Sequence, residues 1–304
     1  GFQLVASWFV RFRGQIMGVI TVGSPLFSVV GTAGMTTLIT KKLGGDYRPF
    51  YIAIAVLLVI VAVVVAFAIK DTPEDAGLYP DGADHPLKSE GAGEEVKLTI
   101  KDILSTKKGW QVIISFGALT FIINACMGSM AMRYITLGGG ESTIWLQAVK
   151  YLSIGAILGI PMSYVFGLID DKVGTVKAAI VLGLCELLPI LGLMLQPEGG
   201  SKVLMLVWGF GVACMTGGVP TLHPCIMAFA YGRREYQAAN RIIMAIQLIP
   251  SAVAAQIMVG FMQRGQTTTA YIMLLIVLAV GIITLLTMLG MKDANAADRD
   301  YGKK

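Results

Sequence analysis

Long apolar runs alternate with short polar stretches along the whole chain. Eight such runs lie at 15–39, 50–69, 110–134, 145–168, 176–195, 203–228, 237–261 and 269–290. A helix of about 20 apolar residues crosses a hydrocarbon core about 30 Å thick, and each run reaches that length. Ten-residue segments of strict alternation, the mark of a membrane β-barrel, do not occur, so the runs predict helices, each satisfying its own backbone. The pattern therefore predicts an all-α membrane protein with eight transmembrane helices.

One connection stands out. Residues 70–109 hold Pro73, Pro80 and Pro86, several glycines and nine of the chain's 19 acidic residues, which predicts a solvated linker between two helical bundles. Its end, 96–104, mixes apolar and charged positions and predicts a short amphipathic helix at the membrane surface. The resulting division is 1–69 for two spans of a first bundle, 70–109 for the linker, 110–291 for a six-helix bundle and 292–304 for a tail.

Composition sharpens this picture. The 304 residues are 55% hydrophobic and 14% charged, against about 25% charged in a soluble domain, and mean hydropathy is +0.72. Basic residues in alternate loops divide sixteen to five, with three more inside spans. The positive-inside rule then puts both termini and the linker in the cytoplasm of a multi-pass cell-membrane protein, with a bacterial inner or plasma membrane expected. The net charge of +5 forms no basic stripe with interleaved aromatics, so no nucleic-acid partner is expected. Cys126, Cys185, Cys214 and Cys225 lie inside apolar runs without metal-type spacing, and His85 and His223 are the two histidines, so neither a metal nor another cofactor is expected.

Between the fourth and fifth runs stands Gly167-Leu168-Ile169-Asp170-Asp171-Lys172-Val173-Gly174. Glycines permit tight turns and close helix ends, while an acid beside a base at such a junction forms a charge relay that locks one conformation. The segment resembles the Gly-x-x-x-Asp-Arg/Lys-x-Gly loop signature of the major facilitator superfamily of secondary transporters. Two further tracts are similar to those of bacterial organic-anion members: Trp8 to Gly18 resembles the entry to the fifth helix, and Asp71 to Gly82 the stretch after the sixth. That resemblance implies major-facilitator-type bundles, with this chain holding helices five to twelve of twelve. A fragment of a longer transporter is the expectation, monomeric once the first helices are supplied.

Ionisable groups at bilayer depth are costly and mark function by default. Lys150, in the outer half of the fourth run, either holds an anionic substrate or snorkels to the surface. Arg133 offers a fork for a carboxylate or an interfacial anchor, and Asn124 offers a substrate contact or a bond between helices. Gln247 joins them as a substrate-binding candidate, whereas Arg241 is shallow enough to snorkel. For coupling or gating the candidates are His223 between Pro220 and Pro224, Glu186 as the one mid-span carboxylate, and the signature residues Asp171, Lys172, Gly167 and Gly174. His223 has a plain hydrogen-bonded alternative and Glu186 a helix-packing one. Gly14, Gly18, Gly23, Pro25, Gly31 and Gly34 in the first run, with Gly155, Gly159 and Pro161 in the fourth, suit close backbone approach.

No nucleotide-binding Gly-x-x-x-x-Gly-Lys-Ser/Thr loop occurs, which leaves a gradient or exchange as the energy source. The expected function is secondary transport of a small organic, carboxylate-like anion by alternating access, coupled to a proton or a counter-anion. An exporter of neutral or hydrophobic solutes on the same fold is the alternative. An integral-membrane enzyme ranks below both, because no catalytic constellation stands near His223 or His85. The oxalate:formate exchange branch typically carries arginine where this chain has Ser163 and lysine in a helix where residues 237–261 have none.

Overall fold

The computed structural model describes residues 2–9, 12–23, 46, 48–68, 70, 72–82, 98–138 and 143–294. Its helices are α1 (Phe2–Trp8), α2 (Arg13–Thr21), α3 (Arg48–Ala68), α4 (Ile100–Leu104), α5 (Lys107–Gly138), α6 (Thr143–Val173), α7 (Thr175–Cys185), α8 (Leu187–Met194), α9 (Lys202–Gln263) and α10 (Thr267–Thr287). Seven stretches of the described residues are long and apolar enough to cross a membrane, and they match the second to eighth predicted runs. Of the first run only α2 is described. Pro25, Gly31 and Gly34 lie outside the described residues, as do His85, most of the acidic linker and the tail from 295.

Three boundaries differ from the sequence pattern. The fifth run is cut at Glu186, a turn between α7 and α8. Pro189 has no N–H to donate to the Cys185 carbonyl, so the span Thr175–Met194 loses a helical bond there. The sixth and seventh runs form two helical arms of α9, Lys202–Gly232 and Glu235–Gln263, which meet at a kink where Gly232 (φ 64°, ψ −173°) is non-helical. Those dihedrals fall in a region open essentially to glycine alone. The linker, finally, is not wholly solvated: Pro73 and Pro80 are buried, and the short turn Pro80–Gly82 packs on α1, a helix the apolar pattern does not announce.

The predicted amphipathic segment is shortened to α4. Thr99 and Asp102 close a capping box: the Asp102 carboxylate accepts from the Thr99 N–H at 2.7 Å, and the Asp102 N–H donates to Thr99 Oγ1 at 3.3 Å. These bonds hold the Asp102 carboxyl below the ordinary aspartate range. Ile103 is the buried residue of this helix, and the Trp110 indole donates to the Leu104 carbonyl at 2.8 Å, tying α4 to the start of α5.

The first arm of α9, Lys202–Gly232, is the centre of the bundle, and its residues 221–232 are buried without exception. Neighbours reach it because it is thin. A Cβ on Gly217 would stand 2.7 Å from the Gly159 carbonyl oxygen of α6, and one on Gly209 would stand 2.9 Å from the Tyr151 carbonyl oxygen. On the other side Gly192 of α8 meets the Trp208 Cβ at a similarly closed 2.7 Å. α5 packs on both arms of α9 and on α10, where a Cβ on Gly281 would come within 2.9 Å of the Ala118 Cβ. α3 is exposed along nearly its whole length.

Replacing Gly232 by alanine forces a Cβ into its glycine-only conformation at a cost of about 1–3 kcal/mol. The expected result is a lower thermal midpoint in detergent, followed by tryptophan fluorescence; an unchanged midpoint would show that the break relaxes freely.

Candidate functional site at the seam of α2, α6 and α9

α6 ends at the signature, and Gly174 (φ 96°, ψ 151°) turns the chain into α7. The left-handed φ explains the glycine at the motif's last position. Asp171 points across to the start of α2, where its two oxygens accept the N–H groups of Gly14 and Gln15, each at 3.0 Å. The N-cap residue of α2 is Phe12, whose side chain cannot accept a bond. A carboxylate 157 residues further along the chain thus supplies the cap and the negative charge that the helix start lacks. Lys172 is exposed, and the bonds seen for Asp171 are those to the start of α2.

The cap needs the two helices to touch. A Cβ on Gly14 would lie 2.6 Å from the Gly167 carbonyl oxygen, and one on Gly18 would lie 2.5 Å from the Ser163 carbonyl oxygen. One turn further in, Thr21 Oγ1 and Thr221 Oγ1 stand 2.7 Å apart, buried, joining α2 to the first arm of α9. Arg13 lies just ahead of the first apolar run, and Asp170 precedes the signature acid. Both are buried here, with Arg13 Nε and Asp170 Oδ1 unpartnered among the described residues, and Asp170 Oδ2 lies over Gly14. The doubled acid was the available signal, since the family pattern needs only one.

A second polar cluster sits deeper. His223 Nε2 and Gln247 Oε1 are 2.7 Å apart, joining the two arms of α9 across 24 residues. The Gln247 amide donates to the carbonyls of Val112 (3.1 Å) and Ile113 (3.2 Å) on α5, and the Phe116 ring meets the imidazole edge to face at 5.4 Å. Two candidates chosen separately, one for coupling and one for substrate, form a single buried unit.

The other candidates are dispersed. Arg133 donates to the carbonyls of Leu193 (3.0 Å), Met194 (3.4 Å) and Gln196 (3.0 Å), so its guanidinium caps the C-terminus of α8. Asn124 is exposed, with its amide bonded back to the Thr120 carbonyl of its own helix at 2.9 Å. Glu186 is fully buried at the α7–α8 break, and neither carboxyl oxygen finds a hydrogen-bond partner among the described residues. Lys150 is exposed on α6. No contact among the described residues joins Lys150, Arg133 and Asn124, and no group of three His, Cys, Asp or Glu is placed to hold a metal.

A family model described as Major Facilitator Superfamily matches residues 1–255. A search of curated proteins finds no match to the chain.

Asp171→Asn keeps the size of the cap but removes its charge, and the expected loss is about 1 kcal/mol of stability. The fall should be read as a lower thermal midpoint together with weaker protection of the Gly14 and Gln15 amides in hydrogen exchange. Unchanged protection of both amides would refute the cap.

Proposed function

The chain belongs to the major facilitator superfamily of secondary transporters, and on that premise we propose that it moves a small, carboxylate-like organic anion across the membrane by alternating access. The observation that carries the anion is Lys150. Its ammonium stands exposed on a spanning helix without an ion-pair partner among the described residues, 21 positions from Asp171 and so about 30 Å of helix away from the capped seam. A cation at bilayer depth with no protein counter-charge suits an anionic cargo. Arg133, engaged by three carbonyls, leaves that role to Lys150.

Alternating access draws support from the seam. The bonds that Asp171 of α6 accepts from α2, and the Thr21–Thr221 pair, are a few polar bonds between elements that otherwise touch through glycine backbone. Such a contact closes tightly and breaks at small cost, as a cycle of opening and closing requires. Coupling to a proton, with His223 as the titrating group, or to a counter-anion supplies the energy. The sixteen-to-five distribution of loop cations favours a cytoplasmic position for the capped end.

One observation favours a second reading, export of apolar solutes. Ile154, Ile157 and Leu158, on the same helix as Lys150, are also exposed and would serve an apolar cargo.

Proteoliposomes bearing the protein separate the two. Radiolabelled carboxylates should be taken up and a hydrophobic dye ignored. Lys150→Ala should raise the KM for the carboxylate by about tenfold or more, as expected for losing a bond to a charged group, while Lys150→Arg keeps most of the affinity. Carboxylate uptake that persists unchanged in Lys150→Ala would sink the anion reading.

A further inference from the structure

The hydrogen bonds around Gln247 fix a property of His223 that the sequence leaves open. The Val112 and Ile113 carbonyls can only accept, so the amide nitrogen of Gln247 must face them. Its Oε1 is thereby turned to His223 Nε2 at 2.7 Å, and an amide oxygen can only accept in its turn. The proton of the neutral imidazole therefore sits on Nε2, and Nδ1 keeps its lone pair. Nδ1 has no hydrogen bond to a described residue, so it is the ring nitrogen left to take up a proton.

We propose that Gln247 is a positioning residue that holds His223 in the Nε2–H form, and that His223 Nδ1 takes up and releases the proton of the transport cycle. The inference rests on the proton-coupled form of the function proposed above. In the loading step, with the bundle open to one side, the Nδ1 lone pair forms an N–H bond with a proton given up by hydronium, leaving water and an imidazolium with Nε2–H still bonded to Gln247. In the release step that new N–H bond breaks and the proton leaves to water on the other side. The ring is well placed for such a change of charge. The groups that face it are Gln247 from the second arm of α9 and Phe116, with the Val112 and Ile113 carbonyls, from α5, and none of them carries a charge.

The chemistry also bears on cargo. A bare Nδ1 repels a carboxylate, whereas a protonated Nδ1 offers it an N–H. Proton loading thus favours binding of the anion near His223.

Nitrogen NMR of the isotopically labelled protein in liposomes tests the positioning directly, with His223 identified by the signals lost in His223→Asn. Neutral His223 should show a protonated Nε2 and a bare Nδ1. Gln247→Met, similar in volume but without acceptor or donors, should mix the two forms and lower pH-gradient-driven uptake by about tenfold. Gln247→Glu retains an acceptor and should keep the Nε2–H form, which guards against a Met variant that simply misfolds. A Nδ1–H ring in the native protein, or a Met variant with unchanged ring form and unchanged pH profile, would overturn the assignment. A native Nε2–H ring combined with carboxylate uptake indifferent to a pH gradient would overturn the proton role and the coupled reading together, leaving the anion role of Lys150 standing.

Discussion

Helices inside a hydrocarbon phase gain nothing by hiding apolar side chains, because the surrounding lipid is as apolar as they are. What holds this bundle is how near two backbones can come. The first arm of α9 is the place where that constraint is met, with glycines at 209, 211, 217 and 218 admitting α6 and α8 so closely that a Cβ would overlap the neighbour. The same rule governs the α2–α6 crossing, where Gly14 and Gly18 lie against carbonyl oxygens of α6. Dispersion at short range and the exclusion of lipid then do what the hydrophobic effect does in water. The few polar bonds sit on top of these contacts and depend on them: Asp171 reaches the start of α2 only because Gly14 and Gly167 let the helices touch.

Polar groups in such a setting must find partners inside the protein, and most of the singled-out ones do. Arg133 closes the open carbonyls of α8, Gln247 ties both arms of α9 to α5, and Asp171 completes a helix start whose own cap residue is Phe12. Against this background Lys150, Glu186 and the Arg13–Asp170 neighbourhood differ, since their polar atoms are not fully matched by described groups. Matched groups define architecture; unmatched ones are where cargo and conformational change have something to act on.

The spans were legible because a bilayer imposes a length, and the signature was legible because a left-handed glycine and a capping acid are needed at fixed spacing. Partnerships were less so. His223 and Gln247 meet only because α9 folds back at Gly232, and nothing local to either residue announces the other. Arg133 read as a carboxylate fork or an interfacial anchor, since its acceptors are backbone carbonyls, which every residue has and no side-chain pattern marks. Pro189 is the sequence signal for the irregularity at Glu186, but a proline inside an apolar run is compatible with a kink as well as a break. α1 was missed because seven residues without a membrane-length apolar run carry no periodic signal to set against a loop.

Gly232 joins the two arms of α9 without any loop between them. A loop would act as a slack rope, letting each arm tilt or slide on its own. One residue acts as a pin: a change in the angle between the arms has to pass through a single φ and a single ψ. The His223–Gln247 bond spans the two arms beyond that pin, so it works at the end of a lever about 14 Å long, nine residues of helix from the pivot. A small rotation at the glycine is thus magnified into the making or loss of one hydrogen bond.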